Sequence, residues 1–122
     1  MQGGIVASHS QQPWALAMTT FDKREDAFER EFAHDEELRF KATARRNKLV
    51  GLWAAEKLGM TDAAANTYAS AIVMGHVEGA HDVAGKIRKD FDAKGIVESD
   101  HQIARMMSES MAKAIADIKA GK

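Results

Sequence analysis

The chain has 122 residues, 45% of them apolar and 29% charged, with a formal net charge of −1 and no cysteine. That length allows one domain with a modest core, and the balanced charge supplies no basic field of the kind nucleic-acid binding needs. The absence of cysteine excludes disulfide scaffolds, thiolate zinc sites and cysteine nucleophiles and suits a reducing compartment, while no apolar run approaches the roughly 20 residues of a spanning helix.

Residues 1–17 carry no Asp, Glu, Lys or Arg and hold the only proline, Pro13. A secretory signal has a positive start and a continuous apolar centre, and this segment has neither. It reads as a disordered leader or a mis-assigned start, with Met18 as the initiator; Trp14 as a docking anchor is the alternative.

Residues 18–34 read as a helical arm. Thr19 or Thr20 supplies a cap, and Asp22, Glu25 and Asp26 follow where the helix dipole favours anions. On an ideal helix Phe21, Phe28 and Phe32 fall within about 40° of one another. The apolar positions that follow, Leu38, Ala42, Leu49, Leu52 and Trp53, centre roughly a quarter-turn away. The Phe stripe is therefore not a continuation of the core stripe. Burying three phenylalanines contributes about 5–9 kcal/mol, and ordering a dozen residues costs a comparable amount. Such an arm is loose alone and helical when docked on a partner; folding back on the bundle is the competing reading. Its polar face holds at least as many acids as bases, which fits a membrane surface poorly.

The next helix spans about residues 35–58, with a bend near 33–35 and Gly59 as its stop. Eight acids against three bases in residues 22–37 give way to five bases and no acids in 38–48. A second helix starts at Thr61 or Asp62, turns Tyr68, Ile72 and Val73 inward and frays between Gly75 and Gly79. Asp82 caps a short third helix with Val83, Ile87 and Phe91 every four residues, and Gly95 ends it. Ser99-Asp-His-Gln102 is a capping box. The fourth helix follows it, with Ile103, Met106, Met107, Met111, Ile115 and Ile118 on one face. No segment alternates with period two. At 1.5 Å per residue the first and fourth helices of the bundle reach about 36 Å and about 30 Å and can pair along their lengths. The expected fold is an all-α, small four-helix bundle over residues 35–122 with a mobile N-terminal helical arm.

Three groups of residues invite a chemical reading. Glu31/His34 and Glu78/His81 are two Glu-x-x-His motifs which, with Glu56 and Glu109, would suit a di-metal carboxylate bundle. Both motifs would need to face inward from mid-helix. Glu78 and His81 instead flank a glycine-rich break, and Glu31 and His34 sit among charges. The basic block Arg39-Phe-Lys41-Ala-Thr-Ala-Arg45-Arg46-Asn-Lys48 could hold phosphate through Arg forks and a Lys point charge; otherwise it is a solvated face paired with nearby acids. Gly51 reads as a close-packing position, His101 as a polar first-turn residue and the fourth-helix methionines as core filler.

Several stretches closely resemble the zeta subunit family, small inhibitors of the F-type ATP synthase in alphaproteobacteria. They are Met-Thr-Thr-Phe-Asp-Lys-Arg-Glu at 18–25, Phe32-Ala-His-Asp-Glu-Glu-Leu-Arg-Phe-Lys41, Ala44-Arg-Arg-Asn-Lys-Leu-Val-Gly-Leu-Trp-Ala-Ala-Glu56, Asp92-Ala-Lys-Gly95 and Ser99-Asp-His-Gln-Ile103. The likeness runs from Met18 to about Gly121 and is loosest from 61 to 89. It implies a four-helix bundle whose N-terminal segment enters the catalytic head near its alpha, beta and gamma subunits and blocks rotation in the hydrolytic direction. It implies a non-enzymatic, cytoplasmic protein peripheral on the membrane-bound synthase. It needs no cofactor and takes ADP or ATP as a regulatory ligand. Carried over by position, the partner-binding residues are Phe21, Arg24, Glu25, Phe28, Glu29, Arg30 and Phe32. The nucleotide-binding residues are assigned to Arg45, Arg46, Lys48, Trp53 and His101, which combine phosphate-type charge with an aromatic surface. The alternatives are a nucleotide-sensing module without strong inhibition and the di-metal bundle.

Overall fold

The computed structural model of the protein describes residues 35–122. The leader, the arm with its threonine caps and Phe stripe, and the Glu31/His34 motif all lie outside the described residues. The chain divides between Arg39 and Phe40 into two units. The second holds the core and the site considered below.

The described residues form four helices, α1 (Glu36–Lys57), α2 (Asp62–Val77), α3 (Val83–Lys94) and α4 (Asp100–Lys119), with no strand among them. The small all-α bundle expected from the sequence is what the chain forms. Local signals set most of the boundaries. The Asp35 carboxylate accepts from the Leu38 backbone N–H at 3.1 Å and opens α1, satisfying one of the donors a helix start leaves orphaned. Asp82 Oδ1 accepts from Gly85 N–H at 3.0 Å and opens α3. Ser99 Oγ accepts from Gln102 N–H at 3.0 Å and opens α4. Gly95 closes α3 at φ 70°, with Ile96 N–H donating back to the Phe91 carbonyl at 2.8 Å, the arrangement that favours glycine after a helix.

α2 starts at Asp62, as expected, but without a side-chain cap. Thr61 stands at the cap position, but its side chain makes no capping bond. Its carbonyl instead accepts from Ala64 N–H at 3.1 Å, and Asp62 takes φ 50°, a left-handed conformation that Asp tolerates better than most residues. α2 ends within the expected stretch from Gly75 to Gly79, though not at Gly75. It continues to Val77, and Ala80 N–H reaches back to the Gly75 carbonyl at 2.8 Å, so the helix ends in a closed turn.

The core joins Val50, Ala54 and Leu58 of α1 and its exit to Ile72 of α2, to Val83, Ile87 and Phe91 of α3, and to Ile103 of α4. All three residues of the expected α3 repeat are buried. In α4 the expected face is largely inward, with Ile103 and Ile115 fully buried, but the small residues Ser110 and Ala114 are buried with them.

In α1 the expected stripe is displaced. Leu38, Leu49, Leu52 and Trp53 are only partly covered, and the buried set is Ala42, Asn47, Val50, Gly51, Ala54 and Ala55. Ala42 is inward as expected, but the stripe Asn47, Val50, Gly51, Ala54, Leu58 centres roughly 160° from the predicted one on a wheel. The reason is close packing: α1 meets α2 through Gly51 and Ala69, so small residues face inward there. The most extensive backbone approach among the described helices is between α3 and α4 rather than between α1 and α4.

Candidate functional site

The N-terminal half of α1 lines one side of a surface cleft of about 520 Å³ with Phe40, Lys41, Ala44, Arg45 and Lys48. Val73 of α2 and Ile118 of α4 supply apolar wall, and Lys122 closes the remaining edge. Helical spacing makes the first side: 41, 45 and 48 stand at i, i+4 and i+7, which puts three cations on one face. Lys122 brings a fourth, and no acidic side chain lines the cleft among the described residues. Arg45 is positioned by its Nη1, which donates to the Lys122 carbonyl oxygen at 2.8 Å. Phe40 stands on the rim 60% exposed, a flat apolar surface beside the positive charge.

Such a cleft suits an anion with an apolar or aromatic portion. Its volume lies within the range of small-ligand sites. Arginine and lysine recognise phosphate through charge-assisted bonds, and an open aromatic face takes a stacked ring.

Of the nucleotide-binding residues expected from the sequence, Arg45 and Lys48 share this cleft, whereas Arg46, Trp53 and His101 do not line it. Arg46 turns aside. Its Nε donates to Asn47 Oδ1 at 3.0 Å, and burial lowers its proton affinity. Trp53 stands edge-on to Phe91, with ring centroids 5.6 Å apart and planes at 66°, so its ring serves the core. His101 is exposed in the first turn of α4. Phe40 and Lys41, part of the basic block though not among the assigned nucleotide residues, join the cleft, and the residues that sequence reasoning missed are Val73, Ile118 and Lys122. The i, i+4, i+7 spacing of 41, 45 and 48 was a usable signal. The contributions of Val73, Ile118 and Lys122 depend on tertiary packing and had none.

The di-metal alternative has no support in the described residues, which hold no group of three or more His, Asp or Glu placed to bind a metal. Glu78 and His81 lie outside the helices on either side of Gly79 and are exposed. Glu109 pairs with Arg105 at 3.5 Å.

The described residues thus form a small helical bundle that carries a cationic cleft on its surface. No described helix is long and apolar enough to cross a membrane. A family model described as ATPase inhibitor subunit zeta matches residues 18–117. The chain belongs to the ATPase inhibitor subunit zeta family, whose role is regulatory and non-catalytic and is exerted in association with ATP synthase. A solved relative, described as a solution NMR structure, is 38% identical; it aligns over 70% of this chain and 99% of its own, with a TM-score of 0.59. No curated protein matches.

Proposed function

We propose that this protein restrains ATP hydrolysis by the F-type ATP synthase by inserting residues 18–32 into the catalytic head, where alpha, beta and gamma subunits meet. The bundle docks outside the head as a cytoplasmic, peripheral module. Phe21, Phe28 and Phe32 act as the wedge, and Arg24, Glu25, Glu29 and Arg30 set its register. The observation that carries this reading is the extent of the family match, which begins at residue 18 and so takes in residues 18–32 as well as the bundle.

The cationic cleft supports a second element. ADP or ATP binds there with its phosphates against Arg45, Lys48 and Lys122 and its base against Phe40. The gathering of Lys41, Arg45, Lys48 and Lys122 around one cleft beside the exposed Phe40 favours this placement. It also keeps alive the rival reading, a nucleotide sensor without strong inhibition. Hydrolysis by the purified synthase, measured with the full chain and with residues 18–32 deleted, tests the proposal. Loss of inhibition by the deletion, with the bundle still folded, supports the wedge. Inhibition undiminished by the deletion overturns it. ADP binding by a full chain that leaves hydrolysis unaffected establishes the sensor instead.

A further inference from the structure

Away from the cleft, three groups able to carry positive charge converge where α2 ends. His76 lies in its last turn, partly buried, and its Nδ1 is sealed from solvent with no hydrogen-bond partner. His81, from the turn between α2 and α3, stands edge-to-face with it, ring centroids 4.6 Å apart and planes at 77°. The guanidinium of Arg46, from α1, acts on the same imidazole as a like charge. Glu78, the acid nearest in sequence, is exposed beyond the helix end and is not among the charges that shift His76. Among the described residues no third ligand joins the two histidines, so a chelated metal is not the reading.

We infer that His76, His81 and Arg46 form an acid-sensitive latch on the corner between α2 and α3, closed while the His76 imidazole is neutral and released when it takes up a proton. Neutral rings attract edge-to-face. An imidazolium at His76 loses that attraction and faces the Arg46 guanidinium as a like charge. A protonated Nδ1 on His76 would also be a charged donor sealed away without an acceptor. The α2 dipole pulls the other way, since a helix C-terminus favours a cation. Burial is the largest cause holding His76 below the usual histidine range, followed by His81 and then Arg46.

The sign follows. The open form takes up a proton on His76 near the ordinary histidine value of about 6.5, and the closed form only at lower pH. The latch therefore contributes fully above that value and is lost as pH falls through the lowered one. What opens is short. Gly79 N–H donates to the His76 carbonyl at 3.1 Å and Ala80 N–H to the Gly75 carbonyl at 2.8 Å. Beyond the corner α3 is held separately, by the Asp82 cap and by the buried Val83.

Proton NMR titration of the histidine rings in the full chain, with amide hydrogen exchange at Gly79 and Ala80 corrected for intrinsic rates, tests the latch. His76 is expected to titrate below a free histidine. Exchange at the two amides is expected to rise at least about threefold on acidification from about pH 7.5 to about pH 5.5. His81 is exposed, so His81→Asn leaves the core untouched; it should raise the His76 midpoint and flatten the exchange profile. Arg46→Met should also raise that midpoint. A His76 midpoint at or above the free value, a midpoint unmoved by His81→Asn, or exchange independent of pH would each overturn the inference.

Discussion

A methyl group built on the Gly51 Cα would lie 2.9 Å from the Ala69 Cα and 3.2 Å from its Cβ. The α1 and α2 backbones are in effect in contact there, and two of the smallest residues in the chain make that approach possible. Overpacking at such a point moves whole helices rather than one flexible side chain. Gly51→Val is expected to lower stability by about 2 kcal/mol. Gly75 is the control. Its nearest neighbour to a built Cβ is Ala80 Cβ at 3.9 Å, and Gly75→Ala is expected to gain about 0.5 kcal/mol through helix propensity. Thermal or urea unfolding of the two variants checks both; equal effects would mean that the contact does not constrain the fold.

For the cleft, Lys48→Ala is expected to weaken ADP binding about tenfold, the equivalent of about 1.4 kcal/mol, and to reduce its dependence on ionic strength. His101→Ala leaves the affinity unchanged, because that side chain is exposed on α4 and does not line the cleft. Isothermal titration of the two variants against the parent chain decides the matter. A stronger effect at His101 than at Lys48 would move the site.

Tyr68 gives a pH dependence with a defined sign. Its hydroxyl donates to Asp90 Oδ2 at 2.6 Å, and Lys86 Nζ holds the other carboxylate oxygen at 3.1 Å. Burial first, then the bond to Asp90 and the charge of Asp90, keep the phenol protonated well above the usual tyrosine range. The unfolded tyrosine loses its proton near pH 10, so the contribution is complete below that value and declines as pH rises beyond it. Since Tyr68 is the only tyrosine, tyrosinate absorbance reports it alone. Ionisation should coincide with unfolding, and Tyr68→Phe should lose less stability than the parent between about pH 9 and about pH 11. Ionisation in the folded state at the ordinary value would contradict this.

Arg88 ties α3 to the start of α4. Nη1 and Nη2 both donate to the Glu98 carbonyl, each at 2.6 Å, and Nη1 lies 3.3 Å from the Asp100 carboxylate. Arg88→Lys cannot reproduce the fork. It is expected to cost about 1–2 kcal/mol and to accelerate amide exchange in residues 95–99 while the core amides of α3 stay protected. Uniform loss of protection would point instead to a global role.

How far the sequence reached depends on side-chain size. The caps at Asp82 and Ser99 and the stop at Gly95 are local chemistry and were legible as such. So was the Val83, Ile87, Phe91 repeat, where large residues do the burying. In α1 the interior is built mostly from small residues, Ala and Gly with one Val and one Asn, while the larger Leu49, Leu52 and Trp53 are only partly covered. The offset of the Phe21, Phe28, Phe32 stripe survives that error: on an ideal continuous helix it stands roughly 75° from the observed stripe, on the other side. The cleft was half legible. Arg45 and Lys48 carry the expected phosphate-type charge, but the choice of Trp53 as aromatic partner could not anticipate that Phe91 would occupy its ring.

The Arg88 fork has one more consequence. Lys57 Nζ pairs with the Glu98 carboxylate at 3.1 Å, so side chain and carbonyl of Glu98 are held from two directions, and Ile96 packs against the core. Between them Val97 stands 96% exposed. A loop residue displayed so openly usually retains conformational freedom that any association must quench. Here the backbone on both sides of Val97 is tethered, at Ile96 by the core and at Glu98 by Arg88 and Lys57. A surface meeting this corner would therefore have less backbone freedom to quench than at an untethered loop.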